Sequence, residues 1–229
     1  KPDAEHEIIA TCGGTEALIA AIMTIVDQGD KIVIFSPYYD AYSTDVFLAG
    51  GEPIFVSLLG GNFTFDIDEL EAAFKQRPKA ILICNPSNPC GKVFTQEELE
   101  IIAYFVRKYN TFAIVDEVYS HIIYKPHTYT YFCELPGMYE RTVCIGSLSK
   151  TYSITGWRVG YIIGSPVIVE EIKKTTGSLV KAQQIALEFG RSLCESNSLT
   201  PEEGYKLIED NLLSGMPCDR VNVILEHDE

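Results

Sequence analysis

Lys150 stands in Ser147-Leu-Ser-Lys150, directly behind the apolar run Thr142–Gly146, and Arg158 follows within Gly156-Trp-Arg-Val-Gly160. A lysine in a Ser-rich loop is ordinarily a solvated surface charge. Beside Ser147 and Arg158 it is also an amine next to two groups suited to phosphate oxygens, one hydroxyl and one guanidinium. Asp116-Glu-Val-Tyr119 ends the run Phe112–Val115. A carboxylate at the end of a buried strand must find a cation or several donors, because leaving it unpaired is costly. It reads as a helix N-cap or as the partner of a positively charged heteroaromatic nitrogen, with Tyr119 three residues on able to reach the same ligand.

Two further segments complement these. Asn85-Pro-Ser-Asn88-Pro-Cys-Gly91 follows another apolar run, and its Pro and Gly fix an irregular turn. Such a turn serves either to cap the backbone through Asn or to present an Asn amide rigidly to a ligand oxygen. Cys12-Gly13-Gly14-Thr15 joins a strand to a helix start. Glycines there let backbone N–H groups approach an anion, the helix N-terminus favours it, and Thr15 adds a hydroxyl. A structural Gly-Gly turn is the alternative.

Elements that would position these groups are legible in the hydropathy pattern. Short apolar runs at Ile8–Thr11, Lys31–Ser36, Pro53–Leu58, Ala80–Cys84, Phe112–Asp116, Thr142–Gly146 and Val159–Gly164 predict seven strands. Most are continuous rather than alternating, the mark of strands buried on both faces. Between them, Thr15–Val26 carries Leu18, Ile22 and Ile25 on one helical face. Asp66–Phe74 follows a capping Asp, and Thr95–Tyr109 opens on a Thr-x-x-Glu capping box. Alternating β and α segments predict a layered α/β domain with a largely parallel sheet, whose ligands collect at the carboxyl ends of the strands. The pattern weakens after about Gly190. Pro201 is read as the first residue of a further helix, and the last dozen residues are not assigned.

Composition narrows the function. The chain has 229 residues, 46% hydrophobic and 22% charged, which is ordinary globular composition. Eighteen Lys and Arg against 32 Asp and Glu give a net charge of −14, arguing against a general nucleic-acid or anionic-membrane surface. No apolar run reaches membrane-spanning length. The seven cysteines, at 12, 84, 90, 133, 144, 194 and 218, form no CxxC, and are read as reduced, largely buried thiols of a cytoplasmic protein. The four histidines show no metal-ligand spacing, so no metal site is expected.

Taken together, Gly-Gly-Thr-Glu-Ala-Leu, Pro37-Tyr-Tyr39, Asn-Pro-Ser-Asn-Pro-Cys-Gly, Asp116-x-x-Tyr119 and Ser147-x-Ser-Lys150 with Arg158 occur in an order and at separations that resemble the class I/II aminotransferases. These are the aspartate-aminotransferase-like group of fold-type-I pyridoxal-phosphate enzymes. The resemblance runs from about Ile8 to about Leu187. It implies a three-layer α/β/α large domain with a mostly parallel sheet of about seven strands over residues 1–190, and a helical continuation over 191–229.

The resemblance implies pyridoxal 5'-phosphate as cofactor and amino acids with 2-oxo acids as substrates, in a homodimer when intact. Lys150 would be the Schiff-base lysine, and Asp116 would hold the pyridinium nitrogen protonated. Tyr119 and Asn88 would bond the phenolic oxygen, and Tyr39 would stack on the ring while Tyr38 packs. Gly13, Gly14, Thr15, Ser147 and Arg158 would hold the phosphate. The family's C-terminal Arg, which clamps the substrate carboxylate, and its N-terminal arm find no match here. The chain is read as an excised piece that does not transaminate at an enzyme-like rate alone; were it to do so, Arg191 and Arg220 would be the first candidates for holding the carboxylate. A C–S β-lyase of the same fold and the cofactor-sensing domain of a transcription regulator are the alternative readings.

Overall fold

A computed structural model of the chain describes residues 2–177. Among the described residues the elements follow one another as β1 (Ile8–Cys12), α1 (Gly13–Ile25), β2 (Lys31–Ser36), α2 (Ala41–Leu48), β3 (Glu52–Leu59), β4 (Thr64–Phe65), α3 (Ile67–Lys75), β5 (Ala80–Cys84), α4 (Gln96–Tyr109), β6 (Phe112–Asp116), β7 (Thr142–Ser147), α5 (Leu148–Thr151) and β8 (Val159–Ile163), and residues 166–177 are helical. The strands form one sheet in the order β1-β8-β7-β6-β5-β2-β3-β4. From β7 through β3 every pairing is parallel. Strand β8 lies antiparallel between β7 and β1, which leaves β1 pointing the same way as the parallel set.

The seven expected strands are all present. The eighth, β4, is a two-residue return antiparallel to the end of β3, too short to leave a hydropathy signal. The expectation of strands buried on both faces holds in the centre, where every residue of β5 is buried. It fails at the edges. Strands β1 and β8 alternate buried with more exposed residues, and β3 is largely open along its first half. Position at or next to an end of the sheet explains the difference, because such a strand has fewer covering neighbours than a central one.

Two helical layers sandwich the sheet. On one face, Leu70 and Phe74 of α3 and Leu99, Ile102 and Phe105 of α4 close over Val33, Phe35, Ile81, Ile83 and Val115. Each such side chain stabilises the fold by about 1.5–3 kcal/mol through its removal from water. On the other face α1 packs against β7, β8 and β1 with Leu18, Ile22 and Ile25 inward, as their spacing requires. The start signals act as read. Asp66 accepts hydrogen bonds from the Asp68 and Glu69 amides, and Thr95 and Glu98 form the reciprocal capping box. Helix α2 carries no such periodic signal; Asp40 caps it through the Ala41 amide.

Cys84 and Cys144 are buried in their strands, whereas Cys12 is exposed and Cys90 and Cys133 are half-buried, so the expectation of buried thiols holds only in part. Among the described residues, no helix is long and apolar enough to cross a membrane. The boundary expected near residue 190, the helix expected from Pro201, and Arg191 and Arg220 lie outside the described residues.

Candidate active site

Because β1, β5, β6 and β7 run the same way, their carboxyl ends share one edge of the sheet. Antiparallel β8 begins at that edge. Register makes this concrete: Cys12 pairs with Val159, Ser147 with Gly160, and Cys84 with Asp116. The segments that follow or precede these residues converge on a cavity of about 270 Å³, lined by Gly14, Thr15, Tyr39, Asn88, Asp116, Tyr119, Ser147, Lys150 and Arg158 together with Ser149 and Thr155.

Strand β1 turns directly into α1 at Gly13, whose φ of +77° is a conformation that side chains disfavour. The Thr11 hydroxyl donates to the Gly13 carbonyl at 3.0 Å, and the Cys12 amide donates to the Glu16 carboxylate. On the far side of this turn lies Gly160 of β8. A Cβ there would fall 2.3 Å from the Gly13 carbonyl carbon and 2.6 Å from the Gly14 nitrogen. The turn is thus pressed backbone to backbone against β8, and that contact accounts for the glycine after Arg158.

Arg158 has φ +50° and donates from Nη1 to the Thr155 carbonyl at 3.1 Å, which aims its guanidinium at the α1 N-terminus. Ser147 caps α5: its hydroxyl accepts from the Ser149 amide and donates to the Val159 carbonyl, both at 3.1 Å. Lys150, in the third position of α5, forms no ion pair with a described residue and borders the cavity.

Asp116 lies at the floor. One carboxylate oxygen accepts from the Tyr42 hydroxyl at 2.6 Å and the other from the Val118 amide at 3.1 Å. Burial pushes its pKa above the ordinary carboxylate value, and these two donors pull it back only in part. Tyr119 is likewise raised, chiefly by burial and then by Cys84 and Asp116.

The loop after β5 separates the two readings of its asparagines. Asn85 is buried and accepts from the Phe94 amide at 3.1 Å, a backbone-capping role. Asn88 instead borders the cavity. Tyr38 stacks on Phe55 with ring centres 5.1 Å apart, while Tyr39 packs edge-on against Tyr42 at the cavity rim.

A model of the family "Aminotransferase class I and II" matches residues 1–188. The chain belongs to the class I and II aminotransferases. It is 39% identical to human kynurenine–oxoglutarate transaminase 1 over 182 residues, 75% of this chain and 43% of that protein. Identity to the kynurenine–oxoglutarate transaminase of Dictyostelium discoideum is 40% over 190 residues, 76% of this chain and 44% of that one. Among solved structures, an aromatic aminotransferase from Pyrococcus horikoshii OT3 superposes with a TM-score of 0.74 at 33% identity, covering 77% of this chain and 47% of that chain. An aspartate aminotransferase from Thermotoga maritima gives 0.70 at 35% identity, covering 74% and 45%. The chain spans less than half the length of the curated relatives it matches.

In this member of the class I and II aminotransferase family, all ten residues singled out in the sequence gather at one place. Nine line the cavity, and Gly13 lies against the Arg158 guanidinium. Two others were not foreseen. Tyr42 is buried on α2 and bonds Asp116; its position three residues after Tyr39 was the available signal. Ser149 lies one residue before Lys150, buried on the cavity wall, and the repeated serine of Ser-Leu-Ser-Lys marked it.

Proposed function

We propose that the protein is a pyridoxal-phosphate-dependent aminotransferase, moving an amino group between an L-amino acid and a 2-oxo acid. One observation carries this reading: a primary amine at Lys150, a buried acid at Asp116 and a guanidinium at Arg158 meet on a single cavity at the carboxyl edge of the sheet. The residues fit the cofactor end by end. A phosphate suits the N-terminus of α1, with Gly14, Thr15, Ser147 and Arg158 around it. A protonated ring nitrogen suits Asp116, whose burial is incompletely offset by Tyr42 and Val118. Asn88 and Tyr119 offer donors to a phenolic oxygen, and Tyr39 an aromatic face to the ring.

When bound, the cofactor supplies an aldehyde that attaches amines covalently and a ring that accepts electrons from the substrate Cα. The protein's own part is then distributed. Lys150 would hold the aldehyde, and its Nζ, once displaced by a substrate amine, would be placed to carry a proton from Cα. Asp116 would keep the ring nitrogen cationic, and Arg158 would fix the phosphate end. The names of the relatives make kynurenine with 2-oxoglutarate the first pair to assay. A homodimer belongs to the same reading, supported by the exposed Phe47, Leu48 and Phe55.

Titration with pyridoxal phosphate should produce visible absorbance, and borohydride should fix the label on Lys150 in a peptide map. A principal label on another lysine would overturn the assignment. Release of pyruvate from a cysteine conjugate, without oxo-acid-dependent amino transfer, would identify a C–S lyase instead.

A further inference from the structure

On the sheet face opposite α1, a second cavity of about 480 Å³ is bordered by Cys133 and Cys144 together with Glu117, Tyr131, Glu134 and Tyr161. It shares no lining residue with the site described above. Cys144 is buried at the middle of β7, paired in register with Val115 of β6. Cys133 is half-buried at the centre of a single 3₁₀ turn, Phe132–Glu134, that packs on β7. The turn is firmly seated: Phe132 and Leu135 are buried in the core, and the Thr142 hydroxyl donates to the Met138 carbonyl at 2.7 Å. The two thiols therefore border one cavity, one held by a turn and the other by the strand on which that turn packs.

We propose that Cys133 and Cys144 are an oxidisable dithiol, which closes to an intramolecular disulfide on reaction with a low-molecular-weight disulfide. The division of labour follows from their surroundings. Its neighbour Cys144 holds Cys133 below the ordinary thiol value, whereas Cys133 and burial push Cys144 well above it. Cys133, the more exposed, is the attacking thiolate. Its sulfur bonds to one sulfur of the oxidant, whose S–S bond breaks and releases one thiolate. Cys144 then gives up its proton and attacks the Cys133 sulfur, expelling the second thiolate. Two protein thiols and one disulfide become one protein disulfide and two small thiols, which take up the two protons.

The other described cysteines are not placed for this. The Cys84 thiol donates to the Pro86 carbonyl and accepts from the Asn88 amide, Cys90 donates to the Ser87 hydroxyl, and Cys12 is exposed at the far edge of β1.

The test is oxidation of the full chain with glutathione disulfide, followed by denaturation, blocking of free thiols with N-ethylmaleimide and tryptic mapping without reductant. Trypsin separates the pair, because Arg141 lies between them and Lys125 precedes proline. The expected product is the peptide beginning at Tyr109 linked to the one beginning at Thr142, two hydrogen masses below their sum and released by dithiothreitol. Cys133→Ser should abolish the link, and Cys144→Ser should leave Cys133 as a persistent glutathione adduct. Should Cys144→Ser fail to fold, Cys133→Ser alone decides, since its half-exposed site tolerates the change. Full N-ethylmaleimide labelling of both residues after oxidation would overturn the proposal. So would a stable Cys133 adduct in the unsubstituted chain, or either residue linked to a different cysteine.

Discussion

The Arg158 guanidinium stands where a Gly13 side chain would begin: a Cβ on Gly13 would fall 2.2 Å from Arg158 Nη2. Both residues have positive φ. One fits because it has no side chain, and the other because its side chain then lies across the bare turn.

Gly13→Ala should therefore damage the proposed anion site more than the fold. The left-handed backbone costs about 1–3 kcal/mol with a side chain present, and the guanidinium must also move. Affinity for pyridoxal phosphate should fall by about tenfold or more, the equivalent of about 1.4 kcal/mol, as read by absorbance titration. Gly14→Ala is the control, since its Cβ would meet Ser147 at an ordinary 3.6 Å. Equal losses in the two variants would refute the argument.

Tyr42→Phe removes a 2.6 Å donor from Asp116 and leaves the ring buried. That donor works against the burial that raises the Asp116 pKa, so losing it raises the pKa further. Asp116 must be ionised to pair with a cation, so the acid limb of the pH–rate profile of the full-length enzyme should move to higher pH. A hydrogen bond to a charged group is worth about 1.5–3 kcal/mol, predicting a loss of about ten- to a hundredfold in kcat/KM. Asp116→Ala should lose about 10²–10³-fold or more, as when a preorganised electrostatic partner is deleted. An unchanged profile in Tyr42→Phe would show that the tyrosine only packs.

Glu117 governs stability against pH. Its ordinary value is 4.5 and folding raises it to about 8, chiefly by burial, with Cys133 adding to the rise and the Tyr129 hydroxyl opposing it. The folded chain thus keeps a proton that the unfolded chain has released. That stabilisation is complete below the unfolded value and is lost as pH climbs toward 8. Asp45, raised to about 6 by burial, acts in the same direction over the lower part of the range. The cofactor-free protein should show a Tm that falls between about pH 5 and pH 8, and Glu117→Gln should flatten the fall. A Tm that rises across this window would contradict the assignment.

Thr95→Ala tests the fold apart from the site. It deletes the hydroxyl that accepts from the Glu98 amide at 3.2 Å. The expected cost is about 1 kcal/mol, a Tm lower by about 2–4 °C, with cofactor affinity unchanged. A concurrent loss of affinity would show that α4 and the cavity are mechanically coupled.

Residues with strong local preferences were the legible ones. Asp66, Thr95 and Glu98 announce their helices because capping is a contact between near neighbours, and Leu18, Ile22 and Ile25 show their face by spacing alone. Lys150, Asp116 and Asn88 could be picked out because each follows a buried strand, where a polar group requires a reason. Tyr42 was marked only by its spacing from Tyr39, since its partner lies 74 residues away and α2 has no periodic face. The exposed flank of β1 and β8 could not be picked out, because hydropathy records a strand's composition and not its place in the sheet. The second cavity was hidden for the same reason: Cys133 and Cys144 are neighbours only across a turn.

Among the described residues strand β1 ends the sheet, with β8 as its one neighbour, so Ile8 waits for Ile163. The first strand of the chain is therefore among the last to dock. Contacts of such sequence separation form slowly, because the whole intervening chain must be ordered first. On a ribosome, the parallel strands can associate while β1 and the Gly13 turn remain unpaired. The proposed anion site, whose halves lie at Gly13–Thr15 and Ser147–Arg158, comes into being only when β8 is inserted. Chains cut short before β8 would possess the Gly-Gly turn and the Asp116 acid, yet have nothing to close one upon the other.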